Sequence, residues 1–157
     1  MPEGPIRAEQ ASELVVVQQV LKDSMRLFPP VPSLSRVATQ DTNLGGHRLA
    51  RGTAVTISVY AVHRHQSVWR NPDMFDPARF AIVNEVYFAR CQILPFGAGP
   101  RTCSGMVFAM VEATIFLATL ARAAHFELIA DDLLPTPISR VVLAPRDDMP
   151  PKVTLRG

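Results

Sequence analysis

The chain has 157 residues, of which 48% are hydrophobic and 19% are charged. This balance excludes intrinsic disorder, which needs low hydrophobicity together with a high net charge. The formal net charge is only +2, so we expect no dedicated nucleic-acid-binding surface. Its two cysteines, Cys91 and Cys103, are too few for a disulfide scaffold or an all-cysteine zinc site. Length and composition therefore predict one folded domain.

The first predicted element is a helix over residues 12–28, where apolar residues recur at steps of three, four and seven. Ser12 is the predicted N-cap. The helix is predicted to end before Pro29, because a residue that precedes proline is driven out of the helical conformation. Asp23 and Arg26 are three positions apart, so they share one face of this helix.

A small antiparallel sheet is predicted over residues 33–60. Leu34–Ala38 is one candidate strand, and Val55–Val59 alternates apolar with polar residues as half-buried strands do. Between them, Asp41–Gly46 is rich in turn residues. Residues 61–95 then form a long irregular segment, and loops of this length in compact domains usually serve a function.

A second strong helix is predicted over residues 106–124, directly after the loop Phe96–Gly105, here called the Cys loop. Its apolar run, Met106–Ala121, is shorter than the roughly 20 residues that span a bilayer, so we expect no membrane segment. The N-terminus lacks the apolar core of a secretory signal. The last segment, residues 125–157, contains three candidate strands: Phe126–Ile129, Val141–Leu143 and Val153–Leu155.

The Cys loop combines features that favour a bound cofactor. Gly97, Gly99 and Gly105 free the backbone for tight turns and close approach. Cys103 falls just before a helix N-terminus, where unpaired N–H groups and the helix dipole stabilise a thiolate. Arg101 adds a permanent cation that suits a carboxylate. A buried, inert cysteine would explain neither the glycines nor the arginine.

Comparison with known glycine-rich motifs and with the known roles of cysteine limits the functions that this loop can have. A dinucleotide-binding loop needs a third glycine where the chain has Thr102, and a P-loop needs a lysine that is absent here. Cys103 as a nucleophile activated by His63, His65 or His125 stays open, although no protease signature surrounds it. A thiolate ligand to a metal or haem is the remaining use.

The ten residues F-G-A-G-P-R-T-C-S-G match every defined position of F-x-x-G-x-R-x-C-x-G, the haem-ligand signature of the cytochrome P450 family, the haem-thiolate monooxygenases. Other segments resemble family motifs in the same order. K-D-S-M-R-L-F-P-P resembles the E-x-x-R helix, and N-P-D-M-F-D-P-A-R-F resembles the P-x-R-F meander. H-R-H-Q-S-V-W-R-N-P resembles the segment that leads into it. We call residues 61–95 the meander.

This resemblance implies an α+β fold, mainly α, that corresponds to the C-terminal part of the cytochrome P450 fold, with haem b (iron protoporphyrin IX) as cofactor. Cys103 would be the metal ligand, the axial thiolate on the iron, whose electron donation favours O–O cleavage. Phe96 would pack beside the thiolate and help tune the redox potential of the iron. Arg101 would pair with one haem propionate and Arg36 with the second. His63 is predicted to be structural.

The chain departs from the family pattern at Asp23, where the motif has Glu. The motif's acid forms a buried ionic network with the equivalents of Arg26 and of the meander arginine, Arg79. Because Asp is shorter by one methylene, we expect that it does not reach both arginines without a shift of the helix. Breaking a buried charge network costs about 3–5 kcal/mol, so either the backbone adjusts or haem loading is weakened.

The resemblance covers only the C-terminal part of the family fold. The long central helix over the distal haem face, with its acid–threonine pair, and most substrate-contacting segments have no counterpart in these 157 residues. The resemblance therefore predicts a truncated reading frame, a gene remnant or a deliberately shortened chain.

By family, we expect a monooxygenase that inserts one oxygen atom from O2 into a small organic substrate but is not active as this chain alone. A peroxide-driven or isomerase variant is a narrower alternative. A non-catalytic remnant and a small haem-binding or haem-sensing protein also stay open. The expected electron donor is a ferredoxin or flavoprotein reductase, docking near Arg64, Arg70 and Arg90. The predicted location is cytoplasmic, as for soluble bacterial members.

Overall fold

A computed structural model describes residues 4–129, 136–139, 142–146 and 151–156. Helix α1 spans Val15–Leu27 and follows a 3-10 turn at Ala8–Glu13. The predicted cap at Ser12 is wrong, because its hydroxyl donates to the carbonyl of Glu9 (3.2 Å) and Leu14 occupies the N-cap. At the other end, the N–H of Phe28 still bonds to the carbonyl of Ser24 (2.7 Å) before the prolines stop the helix.

Strand β1 (Ser33–Val37) pairs with β4 (Ala54–Ser58) in antiparallel register, with Ser33 opposite Ser58 and Val37 opposite Ala54. The stretch predicted as turn-rich holds a hairpin of β2 (Thr42–Leu44) and β3 (His47–Leu49). Its two turn residues, Gly45 and Gly46, have φ of 58° and 86°, which suits the left-handed turn that joins twisted strands.

The predicted second strand ends one residue early. Val59 begins helix α2 (Val59–Val62) instead, because the hydroxyl of Ser58 accepts the N–H of Ala61 (3.2 Å) and caps the helix. The meander then runs through a 3-10 turn at Pro77–Phe80 and the short helix α3 (Ile82–Glu85). The rest of the meander is turns and bends.

Helix α4 spans Met106–Ala123 and passes directly into β5 (Ala124–Leu128), which pairs antiparallel with β8 (Pro151–Leu155). Strands β6 (Pro137–Ser139) and β7 (Leu143–Pro145) form a further antiparallel pair. Part of the predicted strand at Val141–Leu143 lies outside the described residues. Two long helices with small antiparallel sheets confirm the predicted α+β, mainly α, fold class.

An aromatic cluster fixes the meander against α1. The rings of Trp69 and Phe88 lie 5.3 Å apart between centroids, and those of Phe80 and Phe88 lie 5.4 Å apart. The guanidinium of Arg26 sits over the indole of Trp69 at 5.2 Å. Phe80 belongs to the 3-10 turn that packs on α1, so the cluster lies where α1 meets the meander.

Helix α4 buries little of its apolar surface, since Thr114 and Ala118 are its buried residues. Val107 and Phe108, at its start, are 69% and 72% exposed. By length and composition alone the helix could cross a membrane, a criterion that core helices of soluble proteins also meet. The expectation that this run is too short for a membrane span is therefore not confirmed.

Candidate cofactor-binding site

The Cys loop is closed by one backbone bond between its ends. The N–H of Cys103 donates to the carbonyl of Phe96 at 2.9 Å. Inside the loop, Gly97 and Gly99 have φ of 75° and 71°, a region that side chains with a Cβ rarely adopt. The N–H of Thr102 donates to the carbonyl of Gly99 (3.1 Å) and completes a tight turn. The glycines thus let the loop fold back and present an exposed Cys103.

Cys103 lies at the start of α4. Gly105 is the N-cap, and the N–H of Ala109 bonds to its carbonyl (2.9 Å), while the N–H of Met106 bonds to the carbonyl of Cys103 (3.4 Å). A Cβ on Gly105 would lie 3.8 Å from the Cys103 sulfur. Glycine therefore keeps one side of the sulfur open, and the free N–H groups of the first helical turn favour negative charge there.

Phe96 faces the interior. It is half-buried and lines a mostly apolar cavity of about 670 Å³ between α1, α4 and the end of the meander. The ion pair of Lys22 with Glu85 forms part of the cavity wall. Phe96 consequently packs under the Cys loop, while Cys103 is on its outer side.

Arg101 and Arg36 are both exposed, and within the described part of the chain neither has a carboxylate partner. Arg36 donates only to the carbonyl of Ser35 (2.8 Å). Its strand touches the loop, because a Cβ on Gly97 would lie 3.7 Å from Leu34 Cδ1. Leu34 and Arg36 are two residues apart in β1, so Arg36 projects from the face that meets the Cys loop.

A buried ion pair lies below the meander. Arg26 Nε donates to Asp23 Oδ1 at 2.5 Å, and both side chains are fully buried. The guanidinium also donates to three backbone carbonyls, those of His63 (3.3 Å), Pro72 and Met74 (2.9 Å). A guanidinium with this many acceptors fixes several turns of backbone at once.

Asp23 does not bridge both arginines, as its shorter side chain predicts. Asp23 Oδ2 instead accepts the N–H of Asp76 at 2.5 Å, and within the described residues no ion pair joins Asp23 to Arg79. Arg79 donates to the carbonyls of Arg70 (2.5 Å) and Asn71 (2.9 Å), and its Nε lies 3.8 Å from Asp76 without a hydrogen-bond partner. Asp23 thus pairs with Arg26, while Arg79 donates to backbone carbonyls.

The three histidines considered as partners of Cys103 are engaged elsewhere. His65 Nδ1 is 2.7 Å from the hydroxyl of Ser67, and His125 Nε2 is 3.4 Å from Glu127. His63 is fully buried, with both ring nitrogens bonded to backbone. The geometry therefore gives no support to a cysteine nucleophile activated by histidine.

The pKa of the buried His63 is well below its ordinary value. Burial lowers the pKa of its imidazole from 6.5 to about 4, a bond to the Arg26 carbonyl opposes that shift, and the positive charges of Arg26 and Arg64 lower it further. His63 is therefore a neutral, buried imidazole, as its predicted structural role requires.

Cys103 is the predicted metal ligand of this site. Over the described ranges, no three His, Cys, Asp or Glu side chains come together as a metal site. A single exposed cysteine fits the iron of a porphyrin, which brings its own ring ligands, and does not fit a bare transition metal.

Comparison with known proteins agrees with this arrangement. A family model described as Cytochrome P450 matches residues 2–150. Mouse Cytochrome P450 4X1 is 38% identical over 141 residues, covering 88% of this chain and 27% of that protein. Cyclooctatin synthase from Streptomyces melanosporofaciens is 41% identical over 115 residues, covering 73% of this chain and 25% of that protein.

A crystal structure of the cytochrome P450DA heme domain superposes with a TM-score of 0.90 at 26% identity, over 99% of this chain and 34% of that one. Fold and relatives together define a class of proteins for which haem is the cofactor. The chain belongs to the cytochrome P450 family, a family of monooxygenases that use haem, redox partners and organic substrates. It spans about a quarter of the length of the curated relatives it matches.

Proposed function

We propose that this chain forms the thiolate side of a haem b site, with Cys103 as the axial ligand of the iron. The observation that carries the proposal is the exposed Cys103 at the N-terminus of α4, held by the bond of its N–H to Phe96, with no side chain at Gly105 beside its sulfur. Haem in such a site supports reductive activation of O2 and insertion of one oxygen atom into an organic substrate.

The other predicted residues take supporting roles in this proposal. Arg101 and Arg36 are exposed cations near the Cys loop, and each would bind one haem propionate through a charge-assisted bond. Phe96, packed beneath the loop, would limit water near the thiolate and so influence the redox potential of the iron.

For electron donors, the structure changes the predicted docking set. Arg64 is only 16% exposed on its side chain, lies 3.5 Å from Asp73 and stacks 3.9 Å above the ring of Tyr60. It is therefore committed to the fold and is removed from the prediction. Arg70 and Arg90 are exposed, so they remain as the proposed contacts for an acidic ferredoxin or a flavoprotein reductase.

Activity of the whole enzyme goes beyond these residues. The chain spans about a quarter of its curated relatives, and the sulfur side of the loop faces solvent. We therefore propose that the isolated chain binds haem without turning over substrate. A non-catalytic remnant and a small haem-sensing protein remain the alternatives, and a cytoplasmic location stays a prediction.

A single spectroscopic experiment tests the proposal. Haem is added to the purified chain, reduced under carbon monoxide, and the absorption spectrum is recorded. We expect a red-shifted, thiolate-type Soret band that disappears in Cys103→Ser and persists in Cys91→Ser, the matched exposed cysteine. If the chain takes up no more haem than a non-specific control protein, haem binding is refuted and the chain is a non-catalytic remnant.

A further inference from the structure

Leu94 is a buried residue two positions before the Cys loop, and both of its backbone groups are bonded. Its N–H donates to His63 Nε2 at 2.7 Å. Its carbonyl accepts the N–H of Gly97 at 3.1 Å, which starts the left-handed turn. Pro95 has no N–H to offer. The bond to His63 is therefore the hydrogen-bonded anchor of the backbone just before the loop.

The other ring nitrogen of His63 reaches α1. Because the N–H of Leu94 must donate to Nε2, the imidazole proton belongs on Nδ1, which then donates to the carbonyl of Arg26 at 3.1 Å. The contact is reciprocal, since Arg26 Nη1 donates to the carbonyl of His63 at 3.3 Å. The imidazole of His63 thus links the last turn of α1 to Leu94, two residues before the Cys loop.

We propose that His63 is a positioning residue for Cys103: it ties the Cys loop to α1 and so sets where the thiolate stands. The proposal rests on the proposed function, in which Cys103 ligates iron. The coupling runs through Leu94 and the turn at Gly97 to Phe96, whose carbonyl holds the N–H of Cys103. The three hydrogen bonds along this path, one to the His63 ring and two within the backbone, are each 3.1 Å or shorter.

The electrostatics of the cluster agree with this role. An imidazole accepts at Nε2 only while it is neutral. The charged groups that face His63 are Arg26 from α1 and Arg64 from the end of α2, and both disfavour a second positive charge. The acceptor is therefore present throughout the neutral pH range.

Two substitutions of His63 distinguish the hydrogen bond at Nδ1 from the hydrogen bond at Nε2. In His63→Asn, the short amide keeps a donor near the Nδ1 position and has nothing at the Nε2 position. In His63→Gln, the longer side chain carries an acceptor to the Nε2 position and gives up the Nδ1 donor. His65→Asn makes the same chemical change at an exposed histidine nearby and is the matched control.

The first readout is amide hydrogen exchange of the chain without haem. We expect His63→Asn to speed exchange at Leu94 and at Cys103 by about tenfold, one hydrogen bond's worth. His63→Gln and His65→Asn should leave Cys103 within about threefold of the parent chain. A merely local role would change Leu94 and leave Cys103 unchanged, which would overturn the proposal.

Amides of the β1–β4 pair report whether each variant is folded. If His63→Asn does not fold, His63→Gln decides alone. Protection of Cys103 equal to that of the parent chain supports the proposal. Loss of that protection with β1–β4 intact refutes it.

The second readout is the ferrous carbon monoxide spectrum with haem added. We expect His63→Asn to move a large share of the absorbance from the thiolate-type band to the blue-shifted band of a displaced thiolate, and His63→Gln to move less. Equal spectra for the two variants would contradict the positioning role. If the parent chain binds no haem, the proposed function fails, and hydrogen exchange still decides the role of His63.

Discussion

Asp23 reaches the meander through the backbone N–H of Asp76 and not through the guanidinium of Arg79. One carboxylate oxygen accepts from Arg26 and the other accepts that N–H. Both guanidinium groups nevertheless meet at the carbonyl of Met74, at 2.9 Å and 3.5 Å. The shorter acid has shifted the bridge between the arginines from a side chain to the main chain.

This geometry predicts a large cost for removing the charge of Asp23. Asp23→Asn leaves the fully buried Arg26 without a counterion, so we expect the free energy of unfolding to fall by about 3–5 kcal/mol. Glu85→Gln is the control, because it breaks an ion pair about one-third exposed on each side and should cost about 0–1 kcal/mol. Urea unfolding followed by fluorescence measures both. Equal losses would show that Arg26 is satisfied by its carbonyls alone.

The lowered pKa of His63 predicts a stability that depends on pH. The pKa is about 4 in the folded chain and 6.5 in the unfolded chain. Between these values the unfolded state binds more protons, so the free energy of unfolding is highest above pH 6.5 and falls as the pH drops toward 4.

From pH 7.5 to pH 5 we expect His63 to contribute a loss of about 2 kcal/mol. Urea titrations at the two pH values measure the loss. His63→Gln should show a smaller loss across the same window because it removes this group. An equal loss in both chains would assign the effect to other residues.

Gly97 and Gly46 have similar backbone conformations, but we predict that alanine at the two positions has different effects on haem binding. Gly97 and Gly46 both have positive φ, so alanine at either should cost about 1–2 kcal/mol of stability. Only at Gly97 would the new methyl group contact another element, because Leu34 Cδ1 lies 3.7 Å away.

We therefore expect Gly97→Ala to reduce the haem-bound fraction and the thiolate-type band, and Gly46→Ala to leave both unchanged. Haem titration at matched temperature below the melting range of both variants checks this. A parallel loss in the two variants would mean that stability alone limits haem binding.

We expect the arginines of the meander to have different roles, one in stability and two in docking of the electron donor. Arg64 packs on the ring of Tyr60 and pairs with Asp73, so Arg64→Glu should lower the free energy of unfolding by about 1–2 kcal/mol. Arg70→Glu with Arg90→Glu should leave stability nearly unchanged, since both side chains are exposed.

In the haem-loaded chain, the double variant should slow reduction by an acidic ferredoxin by about tenfold at low ionic strength, with the difference shrinking as salt is added. Stopped-flow absorbance measures the rate. A rate that is unchanged at low salt would remove Arg70 and Arg90 from the docking surface.

Local patterns in the sequence predicted the regular elements well. Helix α4 begins at the predicted Met106 and ends one residue before the predicted end, because its apolar run has no proline and few charges to interrupt it. The errors lie where a single side chain redirects the backbone. Ser12 bonds within a 3-10 turn, and Ser58 caps α2 and ends a strand that apolar alternation extended to Val59.

The role of His63 shows what the sequence could not reveal. Its partners are 37 and 31 residues away in the chain, and both are backbone atoms. A backbone group has no residue identity, so no motif encodes these bonds. The structural role predicted for His63 agrees with its burial, while the link to Leu94 appears only when the meander is folded against α1.

Trp69 is the one tryptophan in the sequence, and it sits in the aromatic cluster between α1 and the meander. Haem absorbs at the wavelengths where indole emits, so energy transfer would quench Trp69 as soon as a haem bound nearby. Its emission would also report loosening of the meander, which removes the guanidinium of Arg26 from the ring face. The intrinsic fluorescence of Trp69 can therefore report both haem uptake and the packing of the meander, without an added label.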